Sequence, residues 1–369
     1  MNTDNLKPEY VITVTDSNIG MEGYLVIDNT LLGPGKGGIR MTPEVTLEEV
    51  ARLARVMTWK NALAGIPFGG AKAGIKWNGG PDELKKQFIE SFAKKIKMFI
   101  PNLYIAGPDV NTGEKEMKWF IEATGIFKSA TGKPITCCEG VGCGIPHEVG
   151  STGFGVAQAT KVAASILGID IKGATVSIHG FGNVGTFVYK FLTEMGAKII
   201  AIADKDTVLY SQDGFEHNLI NEIIDKKQGL IDYAGKAERL SHEKFWKIPV
   251  DIMIPASVTD VIHKGNKDDI RTKMIIEGAN IPMTEEIEEE LGQRGILVVP
   301  DFVANAGGVI SSYSEHAGHS IEEMFESVRE KITNITQSVC ESCLKYKHNP
   351  RKVALSIAQE RLKQCNKEL

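Results

Sequence analysis

Thr175-Val-Ser-Ile-His-Gly-Phe-Gly-Asn-Val-Gly185 is the stretch from which the rest of the chain is read. Its first four residues are a short β-branched run, the composition of a strand. His179-Gly-Phe-Gly-Asn-Val-Gly185 follows at once and opens a helical stretch. Gly180 permits the tight turn, Gly182 lets the backbone reach a pyrophosphate, and Gly185 lets helix and strand pack closely; Asn183 and Val184 begin the helix between them. The N–H groups and positive dipole end of a helix start favour phosphate. A glycine-rich turn is common by itself, so its surroundings decide. The next apolar run, Lys198-Ile-Ile-Ala-Ile-Ala203, ends at Asp204, where an acid for the ribose hydroxyls is expected. NAD or NADP is therefore the expected cofactor. Asp204 favours a free 2′-hydroxyl, while Lys205 suits a 2′-phosphate unless it is only a solvated turn residue; the reading leans to NAD.

Further along, Asp251-Ile-Met-Ile254, Met274-Ile-Ile276 and Ile296-Leu-Val-Val299 are short apolar runs ended by Gly, Asp or Pro. Separated by helical stretches, they describe a parallel sheet covered on both faces. The acidic run Glu285 to Glu290 reads as a solvated helix face. From residue 320 the chain is helical, with a Ser320/Glu323 capping box and an apolar stripe of Ile321, Met324, Phe325, Val328, Ile332 and Ile335. Before residue 150 strands and helices mix. Val11–Val14 and Tyr24–Ile27 read as strands, Thr46 with Glu49 caps a helix carrying Val50, Leu53, Ala54 and Met57, and a second helix turns Leu84, Phe88, Phe92, Ile96 and Phe99 inward. Asn102–Ala106 reads as a buried strand before Gly107-Pro-Asp109. The expected fold is α/β in two domains: a mixed substrate-binding and catalytic domain over 1–150 and a doubly wound, Rossmann-like dinucleotide domain over 151–319, with helices over 320–369 returning to the first.

Composition agrees with a soluble globular protein. The chain has 369 residues, 42% hydrophobic and 24% charged, with a net charge of −5; two domains are the default at this length, and nothing calls for nucleic acid. The polar amino terminus has no apolar signal segment, and no apolar run approaches the ~20 residues of a membrane helix. With six cysteines in so large a chain, reduced thiols and a cytoplasmic location are expected.

Three lysines stand where a free charge is costly. Lys36 lies in Leu32-Gly-Pro-Gly-Lys-Gly-Gly38 and Lys72 in Phe68-Gly-Gly-Ala-Lys-Ala-Gly74, where glycine and alanine shield nothing. Lys60 continues the apolar stripe of its helix, three positions after Met57, and is either a buried ligand or a snorkelling stem. Asp109, at a strand end before a helix that Thr112 would cap, is either a turn residue or a proton-transfer carboxylate. A closed pocket and neighbouring ammonium groups lower a lysine's pKa and make it a usable base.

Lys36-Gly-Gly-Ile-Arg-Met41, Met57-Thr-Trp-Lys-Asn61, Pro67-Phe-Gly-Gly-Ala-Lys72 and Pro108-Asp-Val-Asn111 together resemble the glutamate dehydrogenases. These belong to a superfamily with the leucine, phenylalanine and valine dehydrogenases. Ser151-Thr-Gly153, Glu277-Gly-Ala-Asn280, Pro300 to Val309 and Ala354 to Arg361 extend the resemblance over most of the chain. It implies that Lys60 holds the substrate α-carboxylate, that Lys72 activates water or carries its proton, that Asp109 shuttles protons to and from the imine nitrogen, and that Thr152 and Asn280 stand near the nicotinamide. It implies further that Lys36, with Ser312, binds the side-chain carboxylate, since leucine-type enzymes carry an apolar residue at that lysine. A buried ammonium facing an apolar side chain would be left unpaired. The implied activity is reversible NAD(P)-dependent oxidative deamination of L-glutamate in a homo-oligomer, a hexamer favoured. The alternatives are the same chemistry on leucine, valine or phenylalanine, and a silent nucleotide-binding protein. Two features depart from the pattern: a short amino end, and a segment between Pro134 and Thr152 with Cys137, Cys138, Cys143 and His147. Its spacing is not that of a familiar zinc site, so no metal is expected.

Overall fold

The computed structural model describes residues 7–137, 144–146 and 149–367. Two compact units form. The first takes the chain to Val149, with Gly308–Ser327 and the residues from Leu355 on; the second takes Gly150–Gly307 and Val328–Ala354. The tail therefore does not return as one block from residue 320. Val328–Ala354 packs within the second unit because its apolar stripe and a buried arginine, Arg351, find their partners there.

The first unit is built on strands β1 (Tyr10–Asp16), β2 (Met21–Asn29), β3 (Gly35–Lys36), β4 (Ile39–Thr42), helix α1 (Leu47–Ala64), β5 (Gly69–Lys76), α2 (Asp82–Lys95), β6 (Tyr104–Ile105) and α3 (Glu114–Thr124). Its sheet runs β1-β2-β5-β3-β6, with β4 also on β5. β2 is antiparallel to β5, and β3 and β4 are parallel to it. The central strand is Gly69-Gly-Ala-Lys-Ala-Gly-Ile-Lys76, so both glycine-rich lysine segments are strands rather than open loops. Their glycines bring other parts of the protein close. A Cβ on Gly37 would lie 1.7 Å from the Ala71 carbonyl oxygen, and one on Gly70 would lie 2.0 Å from Thr58 Oγ1 of α1.

Helix α1 starts where the capping signal places it, with Thr46 Oγ1 accepting the Glu49 N–H at 3.2 Å. The Glu49 carboxylate does not close the box, because it is drawn to Arg40 at 2.5 Å. The buried line of α1 is Val50, Ala54, Thr58 and Asn61. Leu53, Met57 and Lys60 lie beside it, half-buried. The core of this unit, around Leu25, Ile27, Ile39, Met41, Ile75, Phe92, Tyr104 and Phe120, is closed by α2 and α3.

The second unit contains α4 (Ser151–Ile166), β7 (Thr175–His179), α5 (Asn183–Glu194), β8 (Lys198–Ala203), β9 (Val208–Tyr210), α6 (His217–Asp225), β10 (Glu238–Leu240), α7 (His242–Phe245), β11 (Ile252–Pro255), β12 (Met274–Ile276), α8 (Glu285–Gln293), β13 (Leu297–Val299) and α9 (Asp301–Ala304). Then come α10 (Gly307–Ala317), α11 (Ile321–Tyr346) and α12 (Pro350–Lys367), divided between the units as above. The sheet order is β10-β9-β8-β7-β11-β12-β13. All five expected strands are present and mutually parallel. The antiparallel β9–β10 ribbon on the outer edge is an addition, too short to carry a periodic signal. The order reverses at β7, the strand before the fingerprint, and in such sheets the ligand crevice lies outside the carboxyl ends at that reversal. The Ser320/Glu323 box is complete, with bonds of 2.7 and 3.2 Å. The acidic run corrects one expectation: Glu288 on α8 is 3% exposed, drawn in by Arg351.

Candidate active site

The first unit gathers charge around Lys36 and Asp109. Lys36 is 3% exposed, and its Nζ donates to the Ala106 carbonyl at 2.9 Å. It rests on Gly107, where a Cβ would stand 2.4 Å from the ammonium. Burial lowers the Lys36 pKa to about 7, the Glu315 carboxylate opposes that, and Lys72 and Lys133 add to it. The depressed lysine of the cluster is thus Lys36.

Lys72, on β5, meets Asp109 Oδ2 at 3.1 Å, and Arg40 Nε meets the same oxygen at 3.1 Å. Burial raises the Asp109 carboxyl, but Lys72 and Arg40 together outweigh it and hold the group below the usual carboxylate range. The aspartate is ionised at neutral pH with a proton donor on either side. Contrary to the expectation from the sequence, Thr112 does not cap α3. Its hydroxyl donates to the Ile39 carbonyl at 2.7 Å and accepts the Asp109 N–H at 2.9 Å, fixing the aspartate's backbone. The cap of α3 is Gly113, whose N–H is taken by Glu116 at 2.8 Å.

Glu315, Lys133 and Arg40 complete the cluster and were not singled out from the sequence. Glu315 on α10 is ion-paired with Lys133, both nearly inaccessible. Its Oε2 also accepts the N–H groups of Gly132 and Ile145 at 2.7 and 3.1 Å. A signal was present: Glu315 stands one helical turn after Ser312, and Lys133 stands beside a glycine as Lys36 does. His316, next on α10, is pushed down to about 4 by burial, then by Lys128, Lys133 and Lys36. Ser312 is half-buried on α10. Lys60 is half-buried on α1, the helix packed on the strand of Lys72.

In the second unit the fingerprint has the geometry that its three glycines require. Gly180 has φ +104°, and a Cβ there would sit 2.6 Å from Ala256 and Ser257; at Gly185 it would sit 1.9 Å from the Gly180 carbonyl. A Cβ on Gly182 meets nothing within 4 Å, so the space before the α5 amino terminus fits a pyrophosphate. Gly182 and Asn183 are exposed there and Val184 is half-buried. Asp204 differs from expectation. Its Oδ1 accepts the N–H groups of Asp206 and Thr207 at 2.9 and 2.8 Å, and its Oδ2 that of Leu230 at 2.7 Å. The carboxylate thus holds three backbone N–H groups, and its place at the end of β8 does not by itself separate NAD from NADP. Thr152 is buried on the first turn of α4. Asn280 is exposed and its Oδ1 accepts from Asn305 Nδ2 at 3.0 Å.

Cys138, Cys143 and His147 lie outside the described residues. Cys137 is half-buried, and burial, its largest influence, raises the thiol above its ordinary value; it is not an activated thiolate.

Two family models cover the chain: the Glu/Leu/Phe/Val dehydrogenase dimerisation domain over residues 8–125 and the Glutamate/Leucine/Phenylalanine/Valine dehydrogenase model over 143–368. The chain belongs to the Glu/Leu/Phe/Val dehydrogenase family. Among relatives of this family, it is 37% identical to the NADP-specific glutamate dehydrogenase of Saccharolobus shibatae, over 96% of this chain and 88% of that protein. It is 39% identical to the glutamate dehydrogenase of Thermotoga maritima, over 83% and 75%. The glutamate dehydrogenase structure from Peptoniphilus asaccharolyticus superposes with a TM-score of 0.83 at 28% identity, over 98% of this chain and 91% of that one. The hetero-hexameric glutamate dehydrogenase of Thermus thermophilus superposes at 0.84 and 25% identity, over 97% and 89%. Among the described residues no helix is long and apolar enough to cross a membrane.

Proposed function

We propose that this family member catalyses the reversible, NAD(P)-dependent oxidative deamination of L-glutamate to 2-oxoglutarate and ammonia. The observation that carries the reading is the buried Lys36 ammonium. An apolar substrate side chain would leave it unpaired, whereas a side-chain carboxylate restores its charge and gives it a charge-assisted hydrogen bond. The glutamate dehydrogenase names of the relatives from S. shibatae and T. maritima support the same choice over leucine, valine or phenylalanine.

In this reading Lys60 anchors the α-carboxylate, and Lys36 with Ser312 takes the γ-carboxylate. Lys72 orients and polarises the water that hydrolyses the imino acid. Asp109, ionised and hydrogen-bonded by Lys72, accepts a proton from the substrate ammonium and returns one to the departing amine. The pyrophosphate lies over Gly180, Gly182, Asn183, Val184 and Gly185, and Thr152 and Asn280 face the nicotinamide. A bound NAD(P) supplies the hydride acceptor for the Cα–H bond.

With Asp204 engaged by backbone and Lys205 exposed beside it, the turn after β8 does not exclude a 2′-phosphate. We also read the protein as a homo-oligomer, the hexamer favoured, in line with the family's dimerisation domain. Initial rates with glutamate, leucine, valine, phenylalanine and tryptophan, each with NAD and NADP, test the assignment. Glutamate is expected to have the highest kcat/KM. A preference for leucine refutes the role of Lys36, and no turnover with any pair refutes the enzyme.

A further inference from the structure

We infer that Arg351 is a positioning residue that locks together the two turns carrying Asn280 and Asn305, and so sets the cofactor-facing end of the second unit. The inference rests on the nucleotide chemistry proposed above. It begins at the carboxyl ends of the parallel strands, where such sheets bind ligands. The turns there are joined in series. The Ala256 N–H donates to the His179 carbonyl beside the fingerprint at 2.7 Å. The N–H groups of Gly278 and Ala279, after β12, both donate to the Pro255 carbonyl, at 3.0 and 2.9 Å. The fingerprint, the turn after β11 and the turn after β12 are one hydrogen-bonded run.

Arg351, 4% exposed on the first turn of α12, fixes that run from behind. Its Nη2 holds Glu277 at 2.8 Å and Glu288 at 2.6 Å, its Nε holds Glu288 at 2.8 and 2.9 Å, and its Nη1 meets Asp301 at 3.0 Å. Glu277, entirely inaccessible, opens the turn after β12; Asp301 opens the turn after β13. The two turns are then bonded to each other. The Asp301 N–H donates to Glu277 at 2.8 Å, and Asp301 Oδ2 accepts the Ile281 N–H at 3.0 Å. Ile281 stands at φ +48°, a conformation rare for a β-branched residue. Asn305 Nδ2 spans the gap to the carbonyls of Gly278 and Ala279 and to Asn280 Oδ1, at 3.3, 3.3 and 3.0 Å. Asn280 is the exposed member of this otherwise buried set.

Three buried carboxylates repel one another, and the guanidinium is the group that turns this repulsion into one rigid assembly. Burial, and then the neighbouring Glu288, push Glu277 well above the usual carboxylate range despite the guanidinium, as expected for acids that outnumber their cation. A lysine keeps the charge but concentrates its three donors on one nitrogen, without the planar fork by which Nε, Nη1 and Nη2 reach three carboxylates at once.

The test is Arg351→Lys in the full-length protein, followed by NADH and NADPH fluorescence titration, amide exchange at Ile281, thermal unfolding and steady-state kinetics. The expected result is a nucleotide Kd raised about ten-fold and kcat lowered by up to ~10²-fold from misplacement. Ile281 exchange should be faster, and the glutamate KM much less changed. Wild-type nucleotide affinity, Ile281 exchange and kcat in the variant, even with a lower Tm, overturn the inference and leave Arg351 a structural residue. Should the wild type bind nucleotide but oxidise no amino acid, the proposed function fails, while titration and exchange still judge Arg351. If Arg351→Lys does not fold, Glu288→Gln serves. It keeps the Glu277 and Asp301 contacts, and the same changes are expected in smaller measure; their absence overturns the inference.

Discussion

Replacing Lys36 with leucine should make the protein more stable and nearly inactive on glutamate at the same time. Lowering an ammonium from its ordinary 10.5 to about 7 corresponds to about 5 kcal/mol of lost preference for the charged form. Close to all of this weighs on the folded state at pH 7. Leucine removes it and leaves the Ala106 carbonyl without its donor, a loss of about 1–3 kcal/mol. The net expectation is a gain of about 2 kcal/mol at pH 7, or a few degrees of Tm. The pH dependence follows from the direction of the shift. Between pH 7 and 10.5 the unfolded chain holds the proton that the folded lysine has released. Wild-type stability therefore rises across this window and the advantage of Lys36→Leu closes. In activity, a γ-carboxylate left facing leucine loses a charge-assisted hydrogen bond, so kcat/KM for glutamate should fall about 10³-fold. Nucleotide affinity should be unchanged. Thermal unfolding at pH 7 and pH 10 with parallel kinetics decides the matter. A lower Tm at pH 7, or equal losses for glutamate and for nucleotide binding, refutes the reasoning.

Three further outcomes are expected. The glutamate KM should rise above pH 7 by up to ~10-fold per pH unit, because binding the γ-carboxylate requires the protonated Lys36; KM profiles from pH 6 to 9 should show this in the wild type and a flat line in Lys36→Leu. Arg40→Met removes one of the two cations holding Asp109 down, so the acid limb of the kcat/KM profile should move to higher pH, while Asp109→Asn should lower kcat by about 10²–10⁴-fold. Gly182→Ala, with open space around its Cβ, should fold normally and bind NAD(P)H more weakly, whereas Gly185→Ala, 1.9 Å from the Gly180 carbonyl, should fail to accumulate as folded protein; equal thermal stability of the two would contradict the fingerprint geometry.

The parallel sheet was legible because each of its strands is a local apolar run, and a covered strand needs little beyond its own composition. The first sheet was legible only in β1, β2 and β6. Its central strand, β5, and its neighbour β3 are rich in glycine, so they lack the periodic signal of a strand, and they are strands only because other backbone packs into the space that missing side chains leave. Likewise Thr112 was read as a helix cap and Asp204 as a ribose ligand, and each also engages a distant backbone group in place of that role. The Ile39 carbonyl and the Leu230 N–H that take part instead lie far away in the chain.

By itself the sequence determined the dinucleotide fingerprint, the five parallel strands and the identity of Lys36, Lys72 and Asp109, because these depend on residue type and near-neighbour spacing. The tertiary structure alone decided which lysine is depressed. It also brought Glu315 and Lys133 to Lys36, clamped Asp109 between Lys72 and Arg40, and set Arg351 among three acids. Burial and the field of charges distant in sequence exist only once the chain has folded.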